Sequence, residues 1–117
     1  MTVSPAFIQY TLDQLADFGR VTARRMFGGV GLYAHARFFA LISDDTLYFK
    51  VDDSNRAAYV ERGLKPFQPM PDRSSFTMSY YPVPPDVLED SEQLAQWARA
   101  ALAIANPPRR KSQARGE

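Results

Sequence analysis

Ile8, Leu12 and Leu15, with Phe18 beyond them, recur three and four residues apart, the spacing that lines one side of a helix with apolar side chains. Ser4 stands ahead of this stripe as an N-cap, and Pro5 takes the first helical position, where its missing N–H costs nothing. Gly19 then offers a C-cap. From Arg20 to Val51 the period changes to two. Leu47, Phe49 and Val51 alternate with Thr46, Tyr48 and Lys50, while Phe38, Ala40 and Ile42 alternate with Phe39, Leu41 and Ser43. Breaks at Gly28-Gly29, at Ala34 to Arg37 and at Asp44-Asp45 divide the stretch into four strands. Connections this short exclude parallel crossovers and predict an antiparallel meander.

Further along, Asp53-Ser54 predicts the cap of a short helix through Ala57, Ala58, Tyr59 and Val60, closed by Gly63. Three prolines between Leu64 and Arg73 forbid ladder pairing and predict an irregular loop. A fifth strand is expected over Phe76 to Tyr81, ending at Pro82. Pro84-Pro85 leads toward a cap at Asp90 or Ser91. Leu94, Trp97, Ala98, Ala101, Leu102 and Ala105 then make an Ala-rich amphipathic helix, stopped by Asn106-Pro107-Pro108. The predicted class is α+β: an antiparallel meander of about five strands, with N- and C-terminal helices and one short helix packed against it. One sheet face is expected to be covered and the other at least partly open.

Composition narrows the picture without changing it. A chain of 117 residues, 45% hydrophobic and 23% charged, has room for one core and the balance of a globular domain. The domain is expected over residues 1–106. Residues 107–117 carry Arg109, Arg110, Lys111 and Arg115 against one acid, leaving ten basic and twelve acidic residues in the body, a net of −2. The basic end reads as a disordered, solubilising tail and as a candidate nucleic-acid contact. No run approaches the roughly 18 apolar residues of a membrane span, and no basic segment followed by an apolar run opens the chain. With no Cys, neither disulfides nor thiolate ligands are available, which fits a reducing cytoplasm. The expected location is cytoplasmic, away from membranes.

Catalysis and metal binding need convergent His, Cys or carboxylates, and one His and no Cys are present. Asp44-Asp45 and Asp52-Asp53 suit a turn and a helix cap, because neighbours on a strand point to opposite faces. His35 falls in a hairpin connection beside Arg37. No Ser lies in a nucleophile elbow. Gly28-Gly29-Val30-Gly31 is followed by strand residues and lacks the Lys and Ser/Thr of a phosphate loop. The chain is therefore expected to be no enzyme and to need no cofactor. Arg24 and Arg25, as adjacent strand residues, are expected on opposite faces, with one partly buried in a structural ion pair. Lys50 shares an alternation face with Tyr48, a surface suited to a protein groove or to stacked bases.

Several separated stretches carry a resemblance. Arg-Arg-Met-Phe-Gly-Gly-Val-Gly-Leu-Tyr at 24 to 33 is the first, followed by Phe39-Ala40-Leu41-Ile42 and Leu47-Tyr48-Phe49-Lys50-Val51. Ser79-Tyr80-Tyr81-Pro82-Val83-Pro84 and Leu94-Ala95-Gln96-Trp97-Ala98 come after them in order. Together they resemble the N-terminal domain of the TfoX/Sxy family, over roughly Phe7 to Ala105. The resemblance implies an α+β domain, no catalytic residues, and a link to bacterial regulators of competence genes that act beside a cyclic-AMP receptor protein. Full-length regulators of that kind also carry a helical, DNA-binding-like C-terminal domain, so the chain reads as a stand-alone version of the N-terminal module.

The leading functional expectation is a regulatory protein-interaction module. Its candidate contacts are Arg24, Arg25, Gly28, Gly29, Tyr48, Lys50 and Tyr80, and its expected partner is a protein of the transcription machinery or a regulator, or a second copy in a homodimer. One alternative is nucleic-acid binding through the same basic residues and the tail. Another is small-molecule sensing in a pocket between Gly28-Gly29 and Tyr80.

Overall fold

A computed structural model of the chain describes residues 3–26, 29–67 and 79–105. Helix α1 runs from Pro5 to Gln14, and the Ser4 hydroxyl accepts from the Phe7 amide at its start. The apolar stripe then tightens into a 3₁₀ turn over Leu15–Asp17. Gly19 follows at φ 138°, a conformation that strains any residue with a Cβ.

Five strands form one antiparallel sheet in chain order: β1 Thr22–Met26, β2 Gly29–Ala34, β3 Arg37–Ser43, β4 Thr46–Lys50 and β5 Tyr80–Pro82. The α+β class and the meander of five strands are as the periodicity predicts. Helix α2 spans Arg56–Val60, α3 Pro85–Leu88 and α4 Ser91–Ile104. Leu15, Tyr59, Val87, Leu94, Ala98 and Ala101 from these elements join Val30, Leu32, Ile42, Leu47, Phe49 and Tyr81 of the sheet in a single core. All the described helices therefore lie on one face of the sheet.

Several expectations are corrected. Strand β3 does not alternate simply. The register pairs Leu32 with Ala40 but Tyr33 with Phe38, so Phe39 is the extra residue of a bulge. Phe39 and Ala40 both serve the helix side, where the Phe39 ring lies 5.2 Å from Phe18 and 6.0 Å from Phe49. Phe38 goes to the opposite face. The cap of α2 is not Asp53-Ser54. The Asp52 carboxylate accepts from the Ser54 amide and hydroxyl, its carbonyl accepts from the Asn55 and Arg56 amides, and Asp53 pairs with Arg56. Gly63 does close that segment, at φ 77°. Between Pro84 and the cap of α4, α3 forms where only a connection is expected. The Asp90 carboxylate then accepts from the Gln93 amide, making Asp90 and not Ser91 the N-cap. Leu64 to Phe67 has no regular structure, as the prolines predict. The rest of that loop, the start of the expected fifth strand at Phe76, and the basic tail lie outside the described residues.

Two hairpin turns place side-chain-bearing residues at positive φ: Asp44 and Asp45 at 53° and 54°, His35 and Ala36 at 52° and 63°. Aspartate tolerates this region because its carboxylate bonds locally; alanine does not. Ala36→Gly is therefore expected to stabilise the fold by roughly 1 kcal/mol, a change that urea denaturation resolves.

Candidate functional site: the sheet face opposite the described helices

The register assigns the second sheet face. Arg24 pairs with Gly31 and Gly31 with Leu41; Leu41 pairs with Tyr48 and Tyr48 with Pro82; Lys50 pairs with Tyr80. Paired residues share a face, so Arg24, Tyr33, Phe38, Leu41, Tyr48, Lys50 and Tyr80 all stand opposite the helices.

Across this face the rings make a row. Tyr33 stacks on Phe38 with centroids 5.2 Å apart and planes at 26°, and Phe38 meets Tyr80 at 5.6 Å. A cation closes each end: the Arg24 guanidinium lies 5.7 Å from the Tyr33 centroid and the Lys50 ammonium 5.3 Å from that of Tyr80. Beside the row, Tyr48 packs at 4.8 Å on Phe67, whose amide donates to the Tyr80 carbonyl. Tyr33, Phe38, Tyr48 and Phe67 are half-buried, whereas Tyr80 is 4% exposed and acts as the floor of the row. Burial pushes the Tyr80 phenol up to about 12. For Tyr48, burial first and the Asp44 carboxylate second push the phenol above its ordinary value, and the Thr46 hydroxyl partly offsets them.

Of the candidates read from the sequence, Arg24, Tyr48, Lys50 and Tyr80 are brought onto one face, and Gly29 lies at its margin, paired with Met26. Arg25 pairs with Val30 and so belongs to the helix side. Neither arginine is buried, contrary to the expected internal ion pair, because β1 is the edge of the sheet and both stay exposed. Gly28 and the tail residues Arg109, Arg110, Lys111 and Arg115 lie outside the described residues.

The structure adds Tyr33, Phe38 and Phe67 to the face, and Arg20 and His35 beside it. Arg20, Thr22, Arg24, Tyr33 and His35 line a groove of about 500 Å³ at the β1 side. A charge signal in the sequence anticipates this groove. From Phe18 to Ser43 there are four arginines and one histidine and no acid, a local excess hidden by the net charge of the whole body.

A smaller cavity of about 250 Å³ lies between α2 and α4, lined by Ser54, Asn55, Tyr59 and Trp97 among others. The Tyr59 hydroxyl is buried with no described hydrogen-bond partner, and burial holds its phenol well above the ordinary value. An unmade bond of this kind costs about 1 kcal/mol or more. Tyr59→Phe should therefore raise the melting temperature by about 4 °C. A raised folded-state value stabilises fully below the unfolded value near 10 and is lost as pH climbs past it. Stability should thus fall above pH ~10 as part of that contribution goes, and less steeply in the variant; thermal melts between pH 8 and 11 compare the two.

Among the described residues no group of three His, Cys, Asp or Glu is placed to hold a metal ion, and no helix is long and apolar enough to cross a membrane. The profile of one protein family, the TfoX N-terminal domain, matches residues 13–105. The chain belongs to that family. A TfoX N-terminal domain is thus the unit that carries the aromatic face, since the match runs from the last residues of α1 through all five strands to α4. One curated relative is similar: the DNA transformation protein TfoX1 of Aliivibrio fischeri, 34% identical over 65 residues. That alignment covers 56% of this chain and 31% of the relative, so the matched segment spans under a third of that protein's length.

Proposed function

We propose that this TfoX N-terminal domain is a non-catalytic regulatory module that docks a protein partner on the sheet face opposite the described helices, in a setting related to DNA transformation. The observation that carries the reading is the row Tyr33, Phe38 and Tyr80 with Tyr48 and Phe67 beside it. Rigid, half-buried rings give large contact area at little entropic cost, and aromatic side chains and arginine are enriched where proteins meet. The transformation setting is supported by the A. fischeri relative. The partner we propose is a protein of the transcription apparatus, with a second copy of the chain as the alternative.

Lys50 at the end of the row makes a direct test available. Amine-reactive cross-linking in extract of the source cell, read by mass spectrometry, should join Lys50 to one or a few proteins. Absence of both a partner and self-association counts against the reading. A second reading, nucleic-acid binding, is favoured by the two cations on the ring row, since bases stack on such platforms. Fluorescence anisotropy against duplex and single-stranded DNA at low and moderate salt tests it, because counterion release makes such binding steeply salt-dependent.

A further inference from the structure

The outer edge of β1 differs from the face just described. β1 ends the sheet, and Thr22 to Arg25 are exposed on both sides. A terminal strand presents unpaired N–H and C=O groups that form a template for another strand. Along this edge the groove is lined by Arg20, Thr22 and Arg24; Arg20 lies two residues ahead of β1, and Thr22 and Arg24 share one face of the strand. Arg25 projects on the other. No described carboxylate pairs with any of the three arginines.

We infer that this edge receives an extended acidic segment of another protein, which adds to the sheet as a sixth strand beside β1. The inference deepens the protein-interaction reading and rests on it. Backbone groups of the edge alternate donor and acceptor, a pattern that a peptide backbone completes and a phosphodiester chain does not. An acidic residue of the added strand would then stand opposite Arg24, and a strand that runs past the start of β1 would bring another near Arg20. The body's net charge of −2 gives no long-range pull on a polyanion. The attraction is therefore confined to within about 8 Å of the edge at physiological salt, which suits a short segment. A second copy of β1 is a poor occupant: antiparallel self-pairing centred on the strand would set Arg24 against Arg24, and like charges directly opposite destabilise a ladder.

The probe is a fluorescein-labelled ten-residue peptide of alternating Thr and Glu, titrated with the full chain and read by anisotropy. Binding is expected, and Arg24→Gln should weaken it at least tenfold while the circular dichroism spectrum stays unchanged. Replacing every Glu of the peptide by Gln should abolish binding. So should N-methyl groups on three consecutive central residues, which remove ladder donors without touching charge. A ten-residue oligothymidylate should compete poorly. No binding of the Glu peptide, equal binding of the N-methylated one, or oligothymidylate competing as well as the peptide would overturn the proposal. The two readings separate by variant: a partner complex sensitive to Phe38 and Tyr48 but not to Arg24 leaves the docking face and removes the edge. The reverse pattern removes the face.

Discussion

Phe39→Ala is expected to cost the domain a large share of its stability, about 3–5 kcal/mol. The ring is fully buried between Phe18 and Phe49, and it reaches the core only because the bulge turns two consecutive residues of β3 toward the helices. Truncating a buried phenylalanine to alanine costs about 3–5 kcal/mol through lost transfer energy and the cavity left behind. A domain of this size has roughly 5–15 kcal/mol to lose, so the variant should show a urea midpoint displaced by more than 1 M from the parent's, taking a slope of about 2 kcal/mol/M. Phe38→Ala, one residue earlier, should cost far less, because its half-buried ring packs on the opposite face. Equal losses for the two variants would show that the bulge does not divide them between faces.

The second large effect concerns binding. Phe38→Ala and Tyr48→Ala should each weaken the partner complex by about 2 kcal/mol, or roughly thirtyfold, the scale for central aromatic anchors of an interface. Lys50→Ala, at the end of the row, should change the association rate and its salt dependence more than the final affinity. Calorimetric or anisotropy titration of the cross-linked partner separates these cases. Losses below threefold for both aromatic variants would remove the ring row from the interface.

Much of this architecture is legible from residue spacing. The two-residue period across Thr46 to Val51, the Asp44-Asp45 break and the Ser4-Pro5 start each report a local rule, and the structure follows them. Features that depend on tertiary placement are not legible. Nothing in the order Arg24-Arg25 says that its strand is an edge, so burial of one arginine is a reasonable expectation that the sheet order overturns. A four-residue helix such as Pro85–Leu88 is too short to show a period. The bulge at Phe39 breaks the alternation that would assign Phe38 its face, and for that reason Tyr33 and Phe38 escape the sequence reading of the site. Arg20 and His35 were within reach, since the acid-free stretch from Phe18 to Ser43 is visible once charge is counted locally.

The groove beside β1 and the cavity over Tyr59 differ in character. The groove beside β1 is open, basic and flanked by a strained turn at His35-Ala36, whereas the cavity over Tyr59 lies between helices. Strain kept at a surface turn beside a charged groove is the kind of feature tolerated where geometry serves recognition. Ala36→Gly thus has a second readout: a stabilised turn that weakens capture of the Thr-Glu peptide would tie the strain to the groove.

Most directly, a photo-reactive benzoylphenylalanine placed at position 48 of the sheet face, and separately at position 57 on α2, tests the central claim in living cells. The account predicts protein adducts from position 48 that resist nuclease, with few or none from position 57. Adducts from position 57 alone, or position-48 adducts that vanish on nuclease treatment, would contradict it.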